Sequence, residues 1–228
     1  MYDFLTKEND MEISLCELEL EDIKLNARDS EKLRGYIANK YENLDILHNH
    51  KGDKFIYRYP KVQYKVIRNK PIIIGIEEGV NIITNIGMNE DTFQIGDNIL
   101  SSYENKISIK KEEFGCAEDY IEYKFLTPWI ALNQNNISKY KNSNFIEKEE
   151  ILKKILIGNI ISISKSLGYT VDRQLKCWID LKEKRANMKG ISHIAFSGRF
   201  KVNFYIPSYL GIGKSVSKGF GTIKRVDL

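Results

Sequence analysis

The stretch Asn144–Gly168, NFIEKEEILKKILIGNIISISKSLG, carries the strongest helix signal in the chain, and the other elements can be ordered around it. Asn144 is a good helix cap. Ile151, Leu152, Ile155, Leu156, Ile160, Ile163 and Leu167 recur at helical spacing and form one apolar stripe. Gly168 stands where a glycine commonly ends a helix. Before this helix, Tyr120–Leu126 reads as a strand; after it, Leu175–Leu181, Ala195–Ile206 and Thr222–Val226 do too. The second half is therefore strand, helix, then strands.

The first half has a related order. Met11–Ile23 alternates in part, with Ile13, Leu15, Leu18 and Leu20 apolar, as in a half-buried strand. Asp29 and Ser30 can cap a helix through Leu44 that has Leu33, Ile37, Tyr41 and Leu44 on one face. Phe55–Tyr59 and Val62–Ile67 read as strands interrupted at Pro60, followed by Pro71–Ile76, a short helix over Gly79–Ile86 and strand-like pieces within Asp91–Ile109. The expected fold class is α+β, with two tandem ferredoxin-like (βαββαβ) domains over residues 1–115 and 116–228. No sequence repeat or low-complexity linker separates them.

With 228 residues, 42% hydrophobic and 29% charged, the chain can bury a full core. Apolar runs are strand-length or broken by charges, so no membrane span is expected. The start of the chain lacks a basic stretch followed by an apolar run, so a signal peptide is not expected either. Cys16, Cys116 and Cys177 are far apart and have no metal-ligand spacing, which suits free thiols in a reducing cytoplasm. Charge is unevenly spread. Residues 1–115 hold 16 Lys and Arg against 21 Asp and Glu, a net −5; residues 116–228 hold 19 against 10, a net +9. The basic half can attract a polyanion, although solvated surface charge has the same appearance.

Two motifs carry chemistry. Gly211-Ile212-Gly213-Lys214-Ser215-Val216-Ser217-Lys218-Gly219-Phe220-Gly221 has four glycines and two lysines in eleven residues. Such a backbone can approach a partner closely, and Lys214 and Lys218 can meet phosphates. It is not a nucleotide-binding P-loop: Ser208 stands where that motif needs its first glycine, and a poor helix start follows Ser215. A tight turn between strands competes with the phosphate reading.

The other motif begins at Leu47-His48-Asn49-His50 and runs through Lys54 and Tyr57-Arg58-Tyr59-Pro60. Two of the three histidines lie here, one residue apart. Histidine acts as general base or general acid near neutrality. RNA cleavage by its own 2′-hydroxyl needs one group to take that proton and another to protonate the departing 5′-oxygen, and it needs no metal. A zinc site, a structural loop and phosphate binding without chemistry also fit a His-x-His pair, but no further zinc ligands show suitable spacing. From Lys54 to Lys70 there is no acidic residue, and Lys54, Arg58, Lys61, Lys65, Arg68 and Lys70 interleave with Tyr57, Tyr59 and Tyr64. Cations with aromatic faces suit RNA; a pair of strands with one wet face is the other reading.

Together these motifs resemble the CRISPR repeat-processing endoribonucleases of the repeat-associated mysterious protein (RAMP) superfamily, in the branch common in type I-B systems. Gly-x-Gly, a basic spacer and Gly-Phe-Gly before the last strand are similar to that family's glycine-rich loop. Tyr123–Trp129, opening the second half, and the His-x-His segment with Val62–Val66 after it are similar as well. The resemblance spans about Leu33 to Val226. It implies two ferredoxin-like domains, catalytic roles for His48 and His50, and assistance from Tyr57. From the cation and glycine patterns themselves, RNA contacts are expected from Lys54, Arg58, Lys61, Lys65, Lys214 and Lys218, and from the backbone at Gly211, Gly213, Gly219 and Gly221. No metal or cofactor is expected. CRISPR repeat RNA is the expected partner, with other subunits of a CRISPR effector complex and a homodimer left open. A non-cleaving subunit that holds processed guide RNA is the alternative.

Overall fold

The computed structural model describes residues 11–226 except 49, 52, 53, 56, 57, 103 and 189, and describes only the backbone of His48, His50, Lys51, Lys54 and Phe55. The chain runs β1 (Met11–Leu20), α1 (Asp29–Lys40), α2 (Asp45–His48), β2 (His50–Lys51), β3 (Lys54–Phe55), β4 (Val62–Ile67), β5 (Lys70–Ile76) and α3 (Gly79–Asn89). It continues through β6 (Thr92–Ile95), β7 (Asn98–Ser101), β8 (Asn105–Phe125), α4 (Ile137–Asn142) and α5 (Phe145–Leu167). It ends with β9 (Cys177–Met188), β10 (Ile191–Tyr205), a 3₁₀ turn at Val216–Lys218 and β11 (Ile223–Arg225).

One seven-stranded antiparallel sheet joins both halves, in the order β4-β5-β1-β8-β10-β9, with β11 also on β8. Its first part has the ferredoxin-like order and is helped by α1 and α3. Its second part, β11-β8-β10-β9, has the same order with α5 on one face. Between β10 and β11, where a second helix is expected, the chain places the glycine-rich loop and its single 3₁₀ turn. The 21-residue β8 belongs to both parts, and the boundary expected between residues 115 and 116 falls inside it. This explains the missing linker: the connection is itself a strand.

Alternation puts the two faces of the first part into different cores. Cys16 and Leu18 of β1, with Tyr64 and Ile73, pack under α1 and α3 against Leu33, Ile37 and Ile83. Ile13, Leu15, Ile74 and Ile76 face the other way and join Phe114, Tyr123, Leu156, Phe200 and Phe204 in the larger core. Because α5 lies in that core, it secures both halves. Its start is a capping box: Glu147 N donates to Asn144 Oδ1 and Asn144 N to Glu147 Oε2, each at 3.0 Å. Its end is Gly168, at φ 84°. Truncating Leu156, fully buried in the stripe, is expected to cost about 2–5 kcal/mol.

Helix α1 departs from expectation. It runs from Asp29 to Lys40, and Arg28 at its N-cap position makes no side-chain cap hydrogen bond. Asp29 turns back to accept from Asn26 N, and Ser30 Oγ donates to Ala27 O and, across the molecule, to Lys218 O at 2.7 Å. Among the described residues, no helix is long and apolar enough to cross a membrane.

Candidate functional site

The two motifs lie about 150 residues apart in sequence and meet in space. His48 closes α2, and His50 opens β2, which pairs with β3 so that His50 stands opposite Phe55. Tyr57 lies outside the described residues, as do the side chains of His48, His50 and Lys54. The flanks of the segment are well tied. On one side Leu47 is buried in the core under α1. On the other, Tyr59 N donates to Ser166 Oγ of α5 at 3.0 Å, and the Tyr59 hydroxyl donates to Gly211 O at 2.8 Å. Burial pushes the Tyr59 phenol pKa well above its ordinary value, so it remains a neutral donor. The histidine segment therefore leads directly into a residue clamped on the first glycine of the loop.

The glycines do allow a close approach, and what they approach is the protein itself. Gly211 N donates to Gln63 Oε1 at 3.0 Å, and Ile212 N donates to Gly221 O and Gly221 N to Pro128 O, each at 2.9 Å. A Cβ on Gly213 would stand 2.5 Å from Trp129 Nε1. One on Gly221, at φ +63°, would stand 1.9 Å from Ile212 O. The buried backbone of Gly211, Gly219 and Gly221 is thus a packing device, correcting the expectation that it is laid open to a phosphate chain.

Beneath the loop lies a buried polar cluster. Lys65, expected as an RNA contact, is 0% exposed. Its Nζ donates to Gln63 Oε1 at 2.9 Å and to Thr222 Oγ1 at 3.2 Å. Thr222 Oγ1 donates in turn to Gly219 O, and Gln63 Nε2 to Pro60 O. Burial lowers the Lys65 pKa to about 7. That expectation is corrected for a plain reason: β4 is covered by α1 on one face and by the loop on the other. The loop arrives from the far end of the chain, so the strand's own alternation cannot reveal it. Lys61 is also nearly buried, with Nζ 3.4 Å from Glu78 Oε2. Tyr59 and Tyr64 are core residues rather than stacking surfaces. Arg58 and Lys214 are exposed, while Lys218 is half-buried and paired with Glu31.

Around Lys218 the structure shows a cleft of about 480 Å³, which sequence reasoning missed. Arg28, Ser30 and Glu31 at the start of α1 form one wall; Lys218, Gly219 and Phe220 form another. It is built from segments nearly 190 residues apart, and no local pattern marks it.

Residues 11–113 match the family model of the Cas6b N-terminal domain, and residues 115–226 that of the Cas6b C-terminal domain. A crystal structure of Cas6b is similar to this chain with a TM-score of 0.91 and 43% identity, over 95% of this chain and 100% of that one. The crystal structure of a CRISPR RNA processing endoribonuclease Cas6b is similar with a TM-score of 0.78 and 40% identity, again over 95% and 100%. An uncharacterised protein of Methanocaldococcus jannaschii is 52% identical over 120 residues, 52% of this chain and 82% of its own length.

Proposed function

The chain belongs to the Cas6b family of CRISPR RNA processing endoribonucleases, and from that premise we propose that it binds the repeat of precursor CRISPR RNA and cuts it without a metal. The observation that carries this reading is the match of both halves to Cas6b, together with about two-fifths identity to the processing endoribonuclease over nearly the whole chain. In the proposed mechanism His50 takes the proton of the 2′-hydroxyl upstream of the cut. The oxygen attacks the adjacent phosphorus, and the bond to the 5′-oxygen breaks. His48 protonates that leaving oxygen or holds the phosphate, and Tyr57 orients it. Products end in a 2′,3′-cyclic phosphate and a 5′-hydroxyl.

The tethered flanks support this assignment. Leu47 and Tyr59 fix the two ends of the histidine segment on the protein's cores, and a general acid–base pair depends on such placement. The exposed Arg58 and Lys214 lie at the two motifs and are the cations we assign to the RNA backbone. Incubation with repeat RNA tests the reading through its product ends. A cyclic phosphate at the upstream fragment is expected; a 3′-hydroxyl and 5′-phosphate pair contradicts it.

A further inference from the structure

The second part of the sheet carries α5 on one face only, and the opposite face holds an arrangement that folding does not explain. Direct strand register places Glu122 of β8, Lys201 of β10 and Trp178 of β9 in one row across that face. The next row runs Lys224 of β11, Lys124 of β8, Arg199 of β10 and Asp180 of β9. Beyond it, Lys182 of β9 stands opposite Ser197 of β10. These rows present five cations and two carboxylates. Their neighbours in sequence, Tyr123, Ile179 and Phe200, point the other way into the core.

Two features of this face are costly by themselves. Lys224, Lys124 and Arg199 are side by side on three adjacent strands, and like charges directly opposite destabilise a sheet. Arg199 and Lys201 share Glu122, at 3.0 Å and 3.3 Å, so that carboxylate is already engaged. Lys124 and Lys224 have no ion-pair partner among the described residues. Trp178, moreover, is 48% exposed at the end of its row, on the edge strand β9 and next to Lys201, while Trp129, the other tryptophan, is fully buried and stacked on Phe125. A half-bare indole beside a ladder of cations suits a strand of phosphates with flat bases: the cations neutralise the backbone and the aromatic face stacks a base.

We propose that this uncovered face of β11-β8-β10-β9, centred on Trp178 and the Lys224–Lys124–Arg199 row, binds a single-stranded segment of the RNA substrate. The proposal rests on the RNA-processing reading and adds to it a surface on the opposite side of the sheet from α5. Bases stack on Trp178, and the cation row follows the backbone across the strands.

The test uses the full chain and repeat RNA carrying a single-stranded flank, with binding followed by fluorescence anisotropy and by tryptophan emission. Trp178 supplies a quenchable signal, and the buried Trp129 a constant one. Binding is expected to quench the emission. Trp178→Ala should weaken affinity roughly five- to hundredfold, and Trp178→Phe should restore much of it. Lys124→Ala with Lys224→Ala should reduce the slope of log affinity against log salt by about 1.4, the equivalent of two single-strand phosphate contacts. If wild-type protein binds the RNA while emission, Trp178→Ala affinity and salt slope all stay unchanged, this surface is wrong and the processing reading stands. If wild-type protein binds no repeat RNA, both are wrong.

Discussion

The glycine-rich loop is held through its own backbone, whereas the flanks of the histidine segment are held through Leu47 and Tyr59. In the loop, backbone N–H groups from Gly211 to Gly221 find acceptors on Gln63, Gly221, Ile130 and Pro128. In the histidine segment, Leu47 and Tyr59 hold the ends, and the proposed chemistry lies between them. The difference teaches that glycine permits close approach without saying to what. Here the partner is the protein itself, the loop's own half at Ile130 and Pro128 and the first half at Gln63, and the loop acts as a clamp that holds Tyr59 and hence one end of the histidine segment.

If the contrast is right, substitutions in the two regions fail in different ways. The largest effect belongs to the segment. His50→Ala should slow single-turnover cleavage by roughly 10²–10⁴-fold with little change in RNA affinity or unfolding midpoint. Normal cleavage by the His48→Ala, His50→Ala double variant would mean that the chemistry lies outside the histidine segment.

In the loop the loss should be of stability. Gly221→Ala combines a left-handed backbone with a Cβ driven against Ile212 O, and should cost about 2–4 kcal/mol in denaturant unfolding. Unchanged stability would mean that the loop is not a clamp.

A smaller effect comes from Lys65 beneath the loop. Its pKa is about 7 in the folded protein against an ordinary 10.5. Between those values the unfolded chain binds more protons, so wild-type stability should rise with pH across that window. Below about pH 7 both forms are protonated, and the full cost of the buried cation is present. Lys65→Met, which removes the amine, should show a shallower rise from pH 7 to about pH 10 in the same unfolding measurement. Parallel pH profiles would show that Lys65 is solvated as a cation.

These residues also mark where the sequence was legible. Helix α5 was readable from cap to terminal glycine because Asn144, the apolar stripe and Gly168 are all local signals. In the first half Val62–Ile67 and Pro71–Ile76 are strands as expected, whereas the strand expected over Phe55–Tyr59 is not: β3 covers Lys54–Phe55, and Arg58 and Tyr59 lie outside any strand. Lys65 is hidden from the sequence because VQYKVI looks like a strand with one wet face, and the loop that covers that face comes from some 150 residues away; Tyr64, on the opposite face, lies in the core under α1. The second helix of the second part failed to appear because its place is taken by a segment too rich in glycine to propagate a helix. The row Lys224–Lys124–Arg199 was equally hidden, since only the register of three strands brings those cations together.

In the proposed mechanism the RNA supplies its own nucleophile at the histidine segment, and one substitution in the substrate tests this. Repeat RNA with a single 2′-deoxy sugar just upstream of the cut, incubated in excess chelator beside the unmodified RNA, should be bound with nearly the same affinity and not cleaved, while the unmodified RNA is cleaved. Cleavage of the deoxy-substituted RNA at the normal rate would contradict the claim, because the attacking oxygen would then have come from elsewhere.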